Sequence, residues 1–174
     1  MTGHDRIVLW NSAGFRAGTS SKRTATKFSF FDKQFPNANF AIGALVETHH
    51  KDENDFSDDL GQYDTTHYIL HSPVSGETHS GIILIIRKDF AVVRQSVVIP
   101  GRLLNVRLQK GDQLFSLSIF YGYQWGVKKK DEIIDILNLF VDLHDPADRN
   151  IILGDFNFVD FDIDKGKIWI REIR

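Results

Sequence analysis

Two kinds of pattern run along this chain: short apolar runs closed by Gly, Asn, Asp or Pro, and two stretches with apolar residues at every third or fourth position. The first kind predicts strands buried in a sheet, the second amphipathic helices. Residues 6–10 are the first run, closed by Asn11, Ser12 and Gly14, and residues 40–46 the next, ending at Glu47. Further strands are predicted at 67–70, 81–87, 92–99, 103–108 and 114–121, with Leu104, Val106 and Leu108 on one face. Turn sequences at Pro100-Gly101 and Lys110-Gly111-Asp112 separate the last three, which predicts an antiparallel meander. A short strand at 150–153 runs into Gly154-Asp155-Phe156-Asn157, and in 167–173 Ile168 and Ile170 alternate with charges.

The helical spacing occurs twice. Ala25, Phe28, Phe31 and Phe35 follow Ser20 or Ser21 as N-cap and stop at Pro36. Residues 130–143 place Ile133, Ile134, Leu137, Phe140 and Val141 on one stripe, expected to pack on a sheet, before Asp145-Pro146 ends the helix. Residues 51–64, dense in Asp, Glu, Asn and Gly, read as a solvated loop. Strands interleaved with a few helices predict a mixed α/β domain built in layers.

Length and composition narrow the picture. A chain of 174 residues fits one domain, 1–174, and 42% hydrophobic with 25% charged residues is an ordinary globular balance. Lys and Arg number 21 against 23 Asp and Glu, so there is no overall positive field and any phosphate-binding surface must be local. With no cysteine, disulfides, thiolate nucleophiles and Cys-ligated metals are excluded, and a metal must take O or N ligands. The longest apolar run, 82–86, is too short to cross a bilayer. No N-glycosylation acceptor occurs, so an intracellular setting is expected, nucleus or cytoplasm.

Three predicted strand ends carry oxygen ligands: Asn11, Glu47, and the pair Asp155 and Asn157. If the strands are neighbours these groups converge on a set suited to Mg²⁺, which takes few carboxylates and keeps several waters. The competing readings are a turn-forming Asn, a solvated Glu and an Asx turn capping the last strand. Tyr121 closes another strand, where its hydroxyl can meet a phosphate oxygen or simply end a half-buried side chain. His67 and His71 would face alike on a strand, and exposure is the simpler expectation for them. Basic residues gather at Arg102 and Arg107 and at Lys128 to Lys130. The last group directly follows Tyr121-Gly122-Tyr123-Gln124-Trp125, and lysines beside stacking aromatics suit a nucleic-acid backbone, though they equally suit the polar first turn of a helix. Neither a P-loop nor a Gly-x-Ser-x-Gly elbow is present.

In sequence order, Trp10-Asn11, Val46-Glu47-Thr48-His49, Ser80-Gly81-Ile82, Tyr121 and Leu153-Gly154-Asp155-Phe156-Asn157 resemble the endonuclease/exonuclease/phosphatase superfamily. They are most similar to endonuclease domains of non-LTR (LINE-type) retrotransposons. The resemblance spans about residues 6–164. It implies a deoxyribonuclease-like four-layer α/β sandwich and hydrolysis of DNA phosphodiesters dependent on Mg²⁺, with Mn²⁺ as the alternative, and with neither membrane nor small-molecule cofactor. Carried over, Glu47 is the principal metal ligand with Asn11 assisting. Asp155 readies the attacking water, and Asn157 and Tyr121 hold the phosphate. Outside what the resemblance carries over, Arg102, Gln124 and Lys128 are expected to contact substrate.

Two departures from the family matter. Its Tyr-x-Pro-Asn is here Tyr121-Gly122-Tyr123-Gln124, and its closing Ser-Asp-His is absent, since the chain has no Asp-His dipeptide. Sandwiches of this kind commonly occupy about 200 to 250 residues. The expectation is therefore an N-terminal portion, with residues 165–174 a tail without family counterpart, activity lowered on the order of 10² to 10⁴, and unpaired sheet edges that favour self-association. Two alternatives stand beside the endonuclease: an inactive relict that binds nucleic acid or a partner, and a phosphomonoesterase of the same superfamily.

Overall fold

The computed structural model describes residues 5–14, 33, 40–52, 60–74, 79–123, 130–157 and 170–173. Nine strands, two sheets and one long helix account for most of these. β1 (Asp5–Asn11), β2 (Ile42–Val46), β3 (His67–Ser72), β4 (Ile82–Arg87) and β9 (Ile170–Ile173) form one sheet, in the order β3-β4-β2-β1-β9. β5 (Ala91–Ile99), β6 (Leu103–Lys110), β7 (Gln113–Tyr121) and β8 (Arg149–Asp155) form the other in sequence order. The expected meander is β5-β6-β7, and β7 and β8 run parallel with helix α1 (Lys130–Asp142) between them in sequence.

The sheets face each other because alternate residues of each are apolar. Ile7, Leu9, Ile42, Ala44, Val46, Ile82, Leu84 and Ile86 of the first sheet share one core with Leu104, Val106, Leu108, Phe115, Leu117 and Ile119 of the second. The intervening residues of β2 and β4, such as Leu45, Ile83 and Ile85, are also fully buried, on the opposite face with Phe40, Leu60 and Tyr63. A strand buried on both faces reads as an unbroken apolar run, as 82–86 does. Over the second sheet, Ile136 and Phe140 of α1 pack on Leu103 and Phe120. The described residues thus form two facing sheets with a helix outside one and a short turn outside the other.

Several expectations need correction. The buried face of α1 is Ile136 and Phe140, whereas Ile134, Leu137 and Val141 are exposed at 54%, 52% and 71%. Phe140 of the expected stripe is buried as foreseen, but the apolar arc of this helix is wider than one sheet contact, and Ile136 rather than Ile134, Leu137 and Val141 lies on the sheet with it. The end of the 51–64 loop is not solvated: Gly61–Tyr63 is a 3-10 turn, with Leu60 and Tyr63 buried. His67 is buried too, its ring 5.4 Å from Phe40 and 5.7 Å from Tyr63, and burial, chiefly, pushes its pKa down. Within 165–174, residues 170–173 pair antiparallel with β1 and extend the sheet. The helix expected from Ala25 to Phe35 lies outside the described residues, apart from Lys33, which is helical.

Candidate active site

β1 and β2 run parallel in one sheet, β7 and β8 in the other, so each pair ends together, with Asn11 opposite Val46 and Tyr121 opposite Asp155. Binding groups in α/β proteins collect beyond the carboxyl ends of strands. Asn11 Nδ2 donates to Asp155 Oδ2 at 2.7 Å, joining the two sheets across residues 144 apart in sequence. The other oxygen, Oδ1, accepts the Asn157 backbone N–H at 3.0 Å. That is the Asx turn foreseen as the structural reading, so capping and site geometry coexist in one carboxylate.

Asn157 departs from expectation. Its φ of 50° turns the chain out of the extended form, and its Nδ2 donates to the Gly122 carbonyl at 2.7 Å. The Tyr121 hydroxyl sits between the Asn157 side chain and the Glu47 carboxylate, and both act on its ionisation. Burial, reinforced by the negative charge of Glu47, pushes the Tyr121 phenol well above its ordinary range, so it stays a donor. Hydrogen bonds therefore link Asn11, Asp155 and Asn157, and the Tyr121 hydroxyl stands between Asn157 and Glu47, so groups from all four strand ends meet.

The strand ends are locked from behind. The Glu47 carbonyl accepts the Gly14 N–H at 2.7 Å and the Ser12 hydroxyl at 2.9 Å, while His49 N–H reaches the Ser80 carbonyl at 2.8 Å. Gly81 sits at φ +111°, and a Cβ there would lie 2.5 Å from Thr48 Oγ1, so only glycine lets β4 start against this loop. Among the described residues the non-glycine residues with positive φ are Ala13, Glu47, His49 and Asn157, all at these strand ends. Such conformations cost on the order of 1–3 kcal/mol each and gather where function fixes them.

Arg102 lies beneath the site, 8% exposed, with its guanidinium 4.8 Å from the Tyr121 ring and 4.6 Å from that of Tyr123. Its NH1 donates to the Gly122 carbonyl at 2.9 Å, so it supports the 121–123 segment from inside. Gln124 and Lys128 lie outside the described residues. Among the described residues no Lys or Arg pairs with Glu47 or Asp155: Asp155 accepts from amides, and Glu47 lies beside the Tyr121 phenol and the His49 imidazole. This oxygen set, rich in negative charge and poor in positive, fits a hard divalent cation. Three His, Asp or Glu side chains close enough to hold a metal unaided do not occur among the described residues. Mg²⁺ asks for only one or two carboxylates, with water and phosphate completing the shell.

Ser12, His49 and His79 were not singled out for a role by the sequence. The only signal for His49 was its place two residues after Glu47, and its Nε2 lies 3.7 Å from Glu47 Oε1.

No family model matches the chain, and none of the curated proteins matches it by sequence. Solved structures do match its fold. TDP2 from Caenorhabditis elegans superimposes with a TM-score of 0.68 at 15% identity over 93% of this chain and 50% of that one. An endonuclease/exonuclease/phosphatase family protein from Bacteroides thetaiotaomicron gives 0.68 at 13% identity, covering 91% and 66%. The human Nocturnin catalytic domain, solved with a sulfate anion, gives 0.64 at 14%, covering 91% and 65%. The chain thus has the endonuclease/exonuclease/phosphatase fold and spans about half to two thirds of the length of these proteins. No helix among the described residues is long and apolar enough to cross a membrane.

Proposed function

We propose that this chain hydrolyses phosphodiester bonds in DNA with a divalent cation bound at Glu47, as an endonuclease of the retrotransposon type on a four-layer sandwich. The observation that carries the reading is the meeting of Asn11, Asp155, Asn157, Tyr121 and Glu47, which gathers at one place residues from four strands. The motif order around Glu47-Thr48-His49 and Gly154-Asp155-Phe156-Asn157 supports a DNA substrate. So does the match to Danio rerio TDP2 complexed with a single-strand DNA product, with a TM-score of 0.67 at 14% identity.

Glu47 is the principal ligand, and Asn11 assists through the second lone pair of its Oδ1, the first accepting the Ala13 N–H at 2.8 Å. Mg²⁺, or Mn²⁺ in its place, would offset charge developing on the phosphorus. Asp155, held by Asn11 and by the Asn157 N–H, keeps lone pairs to orient and deprotonate the attacking water. Tyr121, beside Glu47, and the Asn157 amide, on the Gly122 carbonyl, are neutral donors that can turn to a phosphate oxygen. Arg102 acts through Tyr121 and Tyr123, setting their position under the phosphate.

Supercoiled plasmid incubated with the protein and Mg²⁺ tests the reading: nicking is expected, and none from Glu47→Ala. A DNA mobility shift without any nicking would overturn hydrolysis in favour of a binding module. Turnover of small phosphomonoesters with intact plasmid would favour a phosphatase.

A further inference from the structure

His49 Nε2 and Glu47 Oε1 are 3.7 Å apart, too long for a hydrogen bond. Two adjacent atoms bound to one octahedral divalent ion at about 2.1 Å stand about 3.0 Å apart. The two side chains are therefore within about 0.7 Å of the spacing of a shared ion. Neither arrives there by default. Glu47 and His49 have φ of 56° and 57°, a left-handed backbone that neither residue type favours, and this brings both to the same side of Thr48.

The imidazole is also fixed in place. One face packs directly on the Gly14 backbone, where an added Cβ would lie 2.5 Å from the ring atoms Cε1 and Nδ1. The His79 ring meets it edge-on, with centroids 5.0 Å apart and planes at 75°. The side chain is only 13% exposed. A metal-ligating histidine needs such a rigid seat, because ring orientation aims its lone pair.

We propose that His49 is a second protein ligand of the cation at Glu47, through Nε2, making a mixed nitrogen and oxygen site that selects Mn²⁺ over Mg²⁺. This rests on the reading of Glu47 as the cation site. Imidazole binds first-row transition ions better than Mg²⁺, which prefers oxygen and sheds water reluctantly. His49 then sets which divalent ion serves the site, rather than whether one binds.

Pulsed electron paramagnetic resonance on the full chain loaded with Mn²⁺ tests this. The expected result is nitrogen modulation from a directly bound imidazole. It should change to the ¹⁵N pattern when histidine is ¹⁵N-labelled, vanish in His49→Gln and persist in His79→Gln. Titration should show Mn²⁺ affinity falling about tenfold in His49→Gln, with Mg²⁺ affinity falling less. Bound Mn²⁺ without nitrogen modulation, or modulation that survives His49→Gln, overturns the proposal while leaving the Glu47 site standing. Failure of Mn²⁺ to bind the unaltered chain overturns both. Should His49→Gln not fold, sub-stoichiometric Mn²⁺ on the unaltered protein serves instead: the assigned His49 ring resonances must broaden before those of His71 and His79, and the reverse order overturns the assignment.

Discussion

The two ends of β1 hold their charges in opposite ways. At the start of the strand, Asp5 pairs with Arg87 at 2.7 Å and Lys110 at 2.6 Å, and Asp89 pairs with the same two cations at 2.7 and 3.0 Å. Two acids and two bases cancel. At the other end, six residues or about 20 Å away at about 3.3 Å per residue, Asp155 accepts from amides and Glu47 lies beside the Tyr121 phenol and the His49 imidazole, with no Lys or Arg paired to either among the described residues. The difference separates a structural ion network from carboxylates that the described cations leave unneutralised, as the proposed cation site requires. Both involve similarly exposed carboxylates, Asp5 at 22% and Glu47 at 21%, so burial does not distinguish them. The partners do.

The sharpest way to break this contrast is Glu47→Gly. It should reduce Mg²⁺-dependent nicking on the order of 10³-fold. Because Glu47 sits at φ 56°, glycine should also raise stability by about 1 kcal/mol, a gain in urea midpoint alongside a loss of activity. A fall in stability would mean that the carboxylate is structural after all. Next in size is Gly81→Ala, whose Cβ would meet Thr48 Oγ1 at 2.5 Å. About 2–4 kcal/mol should be lost in chemical denaturation, with nicking impaired even in the folded fraction, because Thr48 lies between Glu47 and His49.

At the other end of β1, Asp89→Asn should cost about 1 kcal/mol at pH 7 and leave nicking untouched. The Arg87 hydrogen bond, against the opposing effect of burial, holds the Asp89 carboxyl below its usual range. A lowered acid pKa gives stability that is present above the ordinary value of 3.8 and lost as pH falls through the folded one. The wild-type minus variant difference in midpoint should therefore shrink below about pH 4 and, since the pairs are part-exposed, shrink also in 1 M salt. A difference that holds in acid would mean that Asp89 stabilises by some route other than its charge.

The smallest effect belongs to His67, buried against Phe40 and Tyr63 with its pKa lowered mainly by desolvation. A histidine that folds neutral gives stability present above its unfolded pKa of about 6.5 and lost as pH falls below it. Replacement by Phe should flatten the stability profile between about pH 6.5 and 5. An unchanged slope would show that His67 is charged in the fold.

Much of this was legible from residue order, and what was not has a physical reason. Every predicted strand formed, because short apolar runs ended by turn residues have few other uses, and Asn11, Glu47 and Asp155 were visible as the polar residues that close them. The buried face of α1 was misread since Ile134, Leu137 and Val141 satisfy helical spacing as well as Ile136 and Phe140 do; only the position of Phe120 across the interface chooses between them. Burial of His67 depends on Phe40 and Tyr63, brought to it by pairing of β3 with β4 and of β4 with β2. The approach of His49 to Glu47 was illegible because neither residue type announces a left-handed backbone.

The pairing of β9 with β1 sets Ile173 directly opposite Asp5. Neighbouring strands stand about 4.8 Å apart, so the described chain comes back almost to its own beginning, as a nearly closed ring. A short glycine linker could join the two, and the turn at Gly111, where an added Cβ would touch nothing within 4 Å, offers a place to cut. Such a circular permutant should keep every strand neighbour, and its new termini, next to Lys110 and its partner Asp5, stay at the end of β1 away from Asn11 and Asp155.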